Sequence, residues 1–336
     1  MNNLKKIGLS ALAGSLVAVS ANAGEFSVSG SAEFTYTNLD GSTGSGNNLN
    51  GDPYSASEEI AFTGSGDVGF GELTVVRTLS DDGSNNDTSY STLDMGDLGT
   101  IGFDSAGGSL AGTAANDDLL PTAYEEVWNG VSSDYVTGAA GGNTLSYANT
   151  IGPVSFSAAY DKSADTDNRG DGNASGDGTT GSTTSMYASI NMGDLGVLDG
   201  LTIGAGSSET TNVQAATDDT TYVVGHAVYN MGNVSVGYRQ AQENLGTANT
   251  ASKKITSYSI AFNVNENFSV SYAEQTAERD AIAGTTTDVD EEVTGINASY
   301  TMGAATIRMT NSVSDNDGFT AAAEQERTEL SLVLAF

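Results

Sequence analysis

Carboxylate pairs mark the part of the sequence where charge could do the most chemistry. Asp117 and Asp118 are followed by Glu125 and Glu126 within residues 104–142, a long stretch between two strand-like patterns. Loops of this length without their own secondary structure are uncommon and usually functional. Acidic side chains that line a narrow passage attract cations. A solvated external loop, whose acids have no particular role, is the alternative for this segment.

Basic side chains in the strand-like segments could oppose these acids. The candidates are Arg77, Arg239, Arg308 and Arg327. An arginine facing lipid costs roughly 2–4 kcal/mol at the bilayer midplane, so we expect these residues on the polar, water-facing side of their strands. Arg77 alone has apolar neighbours at its own parity, which leaves its direction open. If the strands close into a ring, Arg77, Arg308 and Arg327 would form a basic pore wall facing the acidic segment. Local pairing with acids such as Glu329 is the alternative.

Other reactive residue types give weaker signals. His226 is the only histidine, and no motif places it in a Ser-His-acid site, so we expect no enzymatic activity. Residues 161–178 alternate aspartate with glycine, but they lack the spacing and closing glutamate of an EF-hand loop. We therefore expect no cofactor and leave calcium binding open. The absence of cysteine excludes disulfides and thiolate metal sites.

The N-terminus has the pattern of a secretory signal. Lys5 and Lys6 precede an uncharged apolar run, and Ala21-Asn22-Ala23 supplies a small-x-small cleavage site. The apolar run is shorter than the roughly 20 residues that a spanning helix needs. We predict a signal peptide at 1–23 and a mature chain at 24–336.

Composition argues against helices and against nucleic acid. The formal net charge is −32, which repels a phosphate backbone and favours cations. The chain has 42 glycines and only 3 prolines, together with many serine, threonine, asparagine and aspartate residues, which are poor helix formers.

Period-two alternation of apolar and polar residues recurs along the chain. In the first such segment Phe26, Val28 and Phe34 share one parity, and serine, threonine and glutamate residues occupy the other. Side chains alternate between the faces of a strand, so each segment has one apolar and one polar face. The final segment, 329–336, carries leucine at every second position and ends on Phe336. This pattern suits a wall between lipid and water, although a soluble sandwich shows the same alternation.

Short and long connections alternate between these segments. Tight breaks lie near residues 66–71, 96–99, 152–153, 193–200, 232–233, 265–267 and 303. Long polar breaks lie near residues 40–56, 80–87, 104–142, 161–183, 209–219, 241–253, 276–290 and 314–323. Short turns at one end and long loops at the other are the signature of an outer-membrane barrel. We predict an all-β fold, a closed antiparallel transmembrane β-barrel of about 16 strands.

These features resemble the general diffusion porins of Gram-negative outer membranes. The terminal aromatic strand is similar to their assembly signal, and residues 61–71 and 95–103 resemble two of their hairpins. Residues 117–126 resemble their third loop, which folds into the pore. The resemblance implies a homotrimer and a constriction at this loop, lined by Asp117, Asp118, Glu125 and Glu126. The family's pore wall is usually rich in basic residues, whereas this chain has only 11 lysines and arginines.

The expected function is therefore an outer-membrane pore for passive diffusion of small hydrophilic solutes and ions, with a preference for cations. The expected partners are outer-membrane lipid and lipopolysaccharide, the solutes themselves and two further copies of the chain, with no nucleic acid. A substrate-selective channel, a non-channel surface barrel or adhesin, and an outer-membrane hydrolase dependent on His226 are the alternatives.

Overall fold

A computed structural model describes nine stretches of the chain, residues 24–41, 53–79, 86–106, 119–131, 144–161, 180–212, 219–245, 252–279 and 289–336. Nearly all of these residues are in β-strands. In chain order the strands are β1 Glu25–Gly41, β2 Tyr54–Asp67, β3 Glu72–Leu79, β4 Asn86–Asp94, β5 Thr100–Ala106, β6 Thr144–Ile151, β7 Val154–Asp161, β8 Thr180–Asn191, β9 Leu201–Asn212, β10 Thr220–Met231, β11 Val234–Asn244, β12 Lys253–Asn265, β13 Phe268–Arg279, β14 Glu291–Met302, β15 Ala305–Asp315 and β16 Glu324–Ala335.

The strands form one closed antiparallel barrel. Each pairs with its sequence neighbours, and β16 returns to pair with β1. The seam extends to the last residue, because the Gly30 amide donates to the Phe336 carbonyl at 2.8 Å and the Phe336 amide donates back at 2.9 Å. Closure leaves no unpaired sheet edge, which is the condition for a sheet to stand in lipid. The predicted 16-stranded barrel is confirmed.

The two faces of the wall differ as the alternation predicts. Across the β1–β16 seam, Phe34 pairs with Leu332 on one face, while Thr35 pairs with Ser331 on the other. The first face carries exposed leucine, isoleucine, phenylalanine and tyrosine side chains around the ring, and it is the outer one. The second carries hydroxyl, amide and charged side chains, many of them buried, and it faces the lumen.

Connection length separates the two ends of the barrel. Seven tight turns, at 68–71, 95–99, 152–153, 192–200, 232–233, 266–267 and 303–304, lie at the short-turn end with both termini of the barrel. Gly152, Gly232 and Gly303 have φ of +60°, +67° and +62°, a backbone conformation that favours glycine in two-residue hairpins. The longer connections lie at the opposite, long-loop end. Among the described residues, no helix has the length and hydropathy to cross a membrane.

Candidate functional site: the lumen-crossing loop and its wall

Residues 119–131, hereafter the inner segment, lie inside the barrel against its far wall. They belong to the connection between β5 and β6, yet they bond to β13 and β14. The Ala123 amide donates to Ser271 Oγ at 2.9 Å, and Asn297 Nδ2 donates to the Glu125 carbonyl at 2.5 Å. In the ring of 16 strands, β5 and β13 are on opposite sides. The chain therefore crosses the lumen, which confirms the prediction of a long third loop that folds inward.

Apolar side chains fill the space between the inner segment and the wall. Trp128 and Val127 are completely buried, and Val131 is nearly so. They belong to one apolar cluster with Leu39, Leu120, Ala273 and Val293. Burial of an indole and several branched side chains stabilises the loop inside the pore by several kcal/mol, at roughly 1.5–3 kcal/mol per fully buried side chain.

Two glycines on the inner face make room for the inner segment. A Cβ on Gly237 in β11 would lie 2.5 Å from Pro121 Cδ, and a Cβ on Gly295 in β14 would lie 2.9 Å from Val127 Cβ. Real Cβ atoms do not approach other atoms this closely. The absence of a side chain at both positions therefore allows the loop to reach the wall.

Arg327 in β16 joins the inner segment to the wall through charge. Its Nη1 donates to Glu125 Oε1 at 2.6 Å and to the Asn129 carbonyl at 2.8 Å, and its Nη2 donates to Glu329 Oε2 at 2.5 Å. The side chains of Arg327 and Glu125 are only 12 % and 21 % exposed, so water screens their attraction weakly. The backbone of the next loop residue, Gly130, has φ +75° and packs against the guanidinium.

Tyr124 extends this network to two wall carboxylates. Its hydroxyl donates to Glu329 Oε1 at 2.9 Å and lies 3.4 Å from Glu33 Oε1. Glu33 also accepts a hydrogen bond from Ser331 Oγ. The Arg308 guanidinium is 5.2 Å from the Tyr124 ring centroid, within range of a cation–π contact.

The environment shifts the pKa values of the two loop residues upward. Burial raises the pKa of the Glu125 carboxyl above its ordinary value, and this effect outweighs the attraction of Arg327, which lowers it. Burial and the neighbouring Glu329 carboxylate raise the pKa of the Tyr124 hydroxyl. Tyr124 therefore stays protonated and remains a hydrogen-bond donor at any physiological pH.

The network contains more acid than base. The carboxyls of Glu125 and Glu329 contact the guanidinium of Arg327, Glu33 joins them through the Tyr124 hydroxyl, and Arg308 lies against the Tyr124 ring. Glu125 and both arginines were predicted site residues, and Glu329 was named as the alternative local partner of an arginine, whereas Glu33 had no predicted role. Strand parity was a usable signal, because Glu33 and Glu329 are acids on the polar parity of strands that adjoin at the seam.

The other predicted site residues are more scattered. Glu126 is a buried residue of the inner segment, next to Glu125. Arg239 is fully buried on the inner face of β11 and is paired in register with His226 of β10. Asp117 and Asp118 lie outside the described residues. Glu125 and Arg327 are in direct contact, and Arg327 also pairs with Glu329 of its own strand.

Arg77 is on the outer face of the barrel, and its assignment to the pore wall was wrong. It pairs in register with Phe62 of β2 and shares its face with exposed Val75. The inward-facing residues of β3 are Val76 and Thr78, which are buried. Alternation fixes this result, because a residue cannot leave the face that its parity assigns without a bulge.

His226 is part of the inner wall and is packed with an aromatic residue. Its Nε2 atom lies 3.2 Å from the Tyr187 hydroxyl, and the two rings stack with centroids 5.8 Å apart. Gly204 lies beneath both rings, where a Cβ would be 2.3 Å from His226 Cε1. The acidic run considered for calcium lies almost wholly outside the described residues. Within the described part of the chain, no group of three or more histidine and acidic side chains is arranged to hold a metal ion.

A closed barrel with an outer apolar band and a loop folded into a polar lumen defines an outer-membrane pore. The sequence profile of the Gram-negative porin family matches residues 8–335, and the chain belongs to this family. The protein is thus an outer-membrane porin. No curated protein sequence matches the chain.

Solved porin structures share the fold at low sequence identity. A porin structure is 18 % identical, with a TM-score of 0.65, and the match covers 93 % of this chain and all of that one. An anion-selective porin from Comamonas acidovorans is 13 % identical with a TM-score of 0.61, covering 93 % and 100 % of the two chains. Salmonella typhi OmpF, solved with daunomycin, is 12 % identical with a TM-score of 0.65, covering 95 % and 99 %.

Proposed function

We propose that this porin carries small hydrophilic solutes and ions by passive diffusion and prefers cations. The observation that carries the proposal is the acid excess where the inner segment meets the wall. The network joins three carboxyls, those of Glu33, Glu125 and Glu329, to two guanidiniums, that of Arg327 by hydrogen bonds and that of Arg308 through the Tyr124 ring. A negative potential beside a constriction raises the local cation concentration and lowers that of anions. The mechanism requires no cofactor and no catalytic residue.

The whole-chain charge acts in the same direction. The formal net charge is −32, so the loops and mouths also contribute a negative field. That contribution is screened beyond about 10 Å at 0.1 M salt, whereas charges at the constriction act on an ion at contact distance. Selectivity that persists at high salt would therefore be due to the site rather than to the net charge.

Reversal potential in a planar bilayer under a salt gradient tests the proposal. We expect a cation-selective sign for the wild type and a smaller potential for Glu33→Gln, which keeps the shape and hydrogen-bonding oxygen but removes the charge. Glu292→Gln is the matched control, because Glu292 is exposed on the outer face of β14. An anion-selective wild type, or equal effects of the two variants, would contradict the assignment of selectivity to this site.

We also propose that the porin is a homotrimer whose interface includes the outer face of β3. Arg77 stands there at the level of Val28 and Phe62, within the apolar band. An arginine facing lipid at this depth costs roughly 2–4 kcal/mol, so a protein neighbour is the better environment. Light scattering of the detergent-solubilised protein should give three protomers. Arg77→Glu should shift the population to smaller species, whereas Lys254→Glu on the outer face of β12 should not.

The remaining expectations follow from the cellular location. We propose that residues 1–23 are a signal peptide removed on export. We propose that lipopolysaccharide headgroups contact the outer face at the long-loop end, where Gln242, Lys254 and Glu278 replace the apolar band. N-terminal sequencing of the protein from outer membranes checks the cleavage after Ala23.

A further inference from the structure

Inside the polar lumen there is a stripe of four apolar side chains. Val224 of β10 pairs with Ala241 of β11, Ala241 pairs with Ile255 of β12, and Ile255 pairs with Ala277 of β13. All four are on the inner face, where most positions carry hydroxyl, amide or charged groups. Each is at most 4 % exposed. A continuous apolar stripe on a water-facing wall is unfavourable unless another part of the chain covers it.

The connection between β15 and β16 supplies the cover. Phe319, in residues 316–323, is 3 % exposed and belongs to the same cluster as the stripe. Leu119, at the start of the inner segment, packs against that cluster. The Arg279 guanidinium lies 4.1 Å from the Phe319 ring centroid. Because β15 is at least two strands away from every strand of the stripe, residues 316–323 must fold inward over the long-loop mouth to make this contact.

The backbone of this cover is held in unfavourable conformations. Phe319 and Ala322 have φ of +58° and +60°, values that side-chain-bearing residues other than asparagine and aspartate rarely adopt. Asn316, at φ +57°, fixes the turn, because its Oδ1 accepts from the Ala322 amide at 3.0 Å and its Nδ2 donates to the Asp290 carbonyl at 2.9 Å. Such conformations persist only where surrounding contacts enforce them. The hydrogen bonds of Asn316 and the burial of Phe319 on the stripe are the contacts that do so here.

We propose that residues 316–323 are a hinged lid of the pore, closed by Phe319 on the apolar stripe. In the closed state the lid narrows the long-loop mouth and holds Leu119 against the wall. When Phe319 leaves the stripe, the strained turn relaxes, the mouth widens and the start of the inner segment loses a neighbour. Conduction thus has a second control point, separate from the network around Arg327. The effect on conductance rests on the proposed channel function, whereas the movement of the lid does not.

Conductance of single channels provides the first test. Phe319→Ser removes the apolar anchor, and we expect roughly twofold higher conductance or frequent steps to a wider level, since the mouth and the constriction at the inner segment limit the current in series. Phe319→Met keeps an apolar side chain that fits the stripe and should stay near the wild type. Thr320→Ala is the control, because Thr320 is exposed in the same turn. Asn316→Ala, which loosens the turn without touching the stripe, should shift conductance in the same direction as Phe319→Ser.

Thiol labelling provides a test that does not need conduction. The chain has no cysteine, so Ala277→Cys introduces a single thiol beneath Phe319. A water-soluble maleimide should label it slowly in the otherwise wild-type protein and about tenfold faster or more with Phe319→Ser, because labelling of a covered group reports local opening. Equal labelling and equal conductance with and without Phe319 would overturn the lid. If the wild type conducts nothing but the labelling rates differ, the channel function fails and the lid stands.

Discussion

The guanidinium of Arg327 connects the inner segment to the barrel wall through three hydrogen bonds. It holds the Glu125 side chain and the Asn129 carbonyl of the inner segment, and it holds Glu329 of its own strand. Burying a charge is unfavourable, and breaking a buried pair is worse, because the acids remain without their counter-charge. The network is therefore more sensitive to loss of Arg327 than to loss of any one acid.

Replacing Arg327 should weaken the folded barrel. We expect Arg327→Met to lower the free energy of unfolding by about 3 kcal/mol, because Glu125 and Glu329 are left buried together. Denaturant titration in detergent, followed by tryptophan fluorescence at Trp128, measures this. Lys254→Met removes the 3.0 Å ion pair with Glu278, but that pair is exposed and well screened, so its effect should be much smaller. Similar losses in the two variants would contradict the importance of burial.

Acid should reduce the proposed cation selectivity through Glu125. Burial raises the pKa of this carboxyl, so it takes up a proton at higher pH than a free glutamate, whose pKa is about 4.3. Protonation removes one negative charge beside the pore. Reversal potentials measured from pH 7 downward should therefore begin to fall before ordinary carboxyls titrate. In Glu125→Gln this early part of the fall should be missing, and its persistence would assign the titration to another group.

The raised pKa of Glu125 also makes the stability of the barrel depend on pH. The ionised form of Glu125 is the one that burial disfavours, so its contribution to stability is fully present below the unfolded pKa and is lost as pH rises through the raised folded value. Glu125→Gln should remove this dependence. Mild acidification should raise the free energy of unfolding only slightly, because protonation also weakens the hydrogen bond that Arg327 donates to Glu125.

At the level of elements, strand and turn positions followed from the sequence because they depend on local rules. Alternation gave the two faces, and turn composition gave all seven tight breaks. The inner face could be assigned to Arg308 and Arg327 by parity alone. Long-range contacts could not be inferred this way. Residues 314–323 were predicted only as a long loop, since no local signal shows that Phe319 reaches a stripe on β10–β13.

Glycines on the inner face give a sequence signal for some of these long-range contacts. They occur within strands where no turn forms, which indicates a close approach by another part of the chain. We expect Gly237→Ala to push Pro121 from the wall and to destabilise the protein by about 1–3 kcal/mol through overpacking. Noisier single-channel currents should accompany the loss. Gly64→Ala is the control, because a Cβ there meets nothing within 4 Å. If Gly237→Ala had normal stability and no added current noise, the contact between Pro121 and the wall at Gly237 would be contradicted.

At the level of the whole molecule, the barrel is a single wall that keeps two solvents apart. Its outer band is apolar around the ring, its lumen is polar, and the seam between β1 and β16 closes it. The lumen is not uniformly wet, however. Two apolar clusters, one under the inner segment and one under Phe319, attach loops to the inside of the wall. The pore is thus shaped by loops that use hydrophobic contacts inside a hydrophilic channel.

A pair of adjacent residues in β12 tests the two-faced wall most directly. Ile260 is 45 % exposed on the outer face, and Ala261 is the next residue and faces the lumen. Ile260→Arg should make folding into phospholipid vesicles less favourable by roughly 2–4 kcal/mol, because the guanidinium is placed in hydrocarbon. Ala261→Arg places the same group in the lumen, where water and the neighbouring hydroxyls solvate it, so urea titration should show a far smaller loss and conductance should change instead. If both arginines were equally tolerated in the bilayer, the outer face would not be in contact with lipid at this strand.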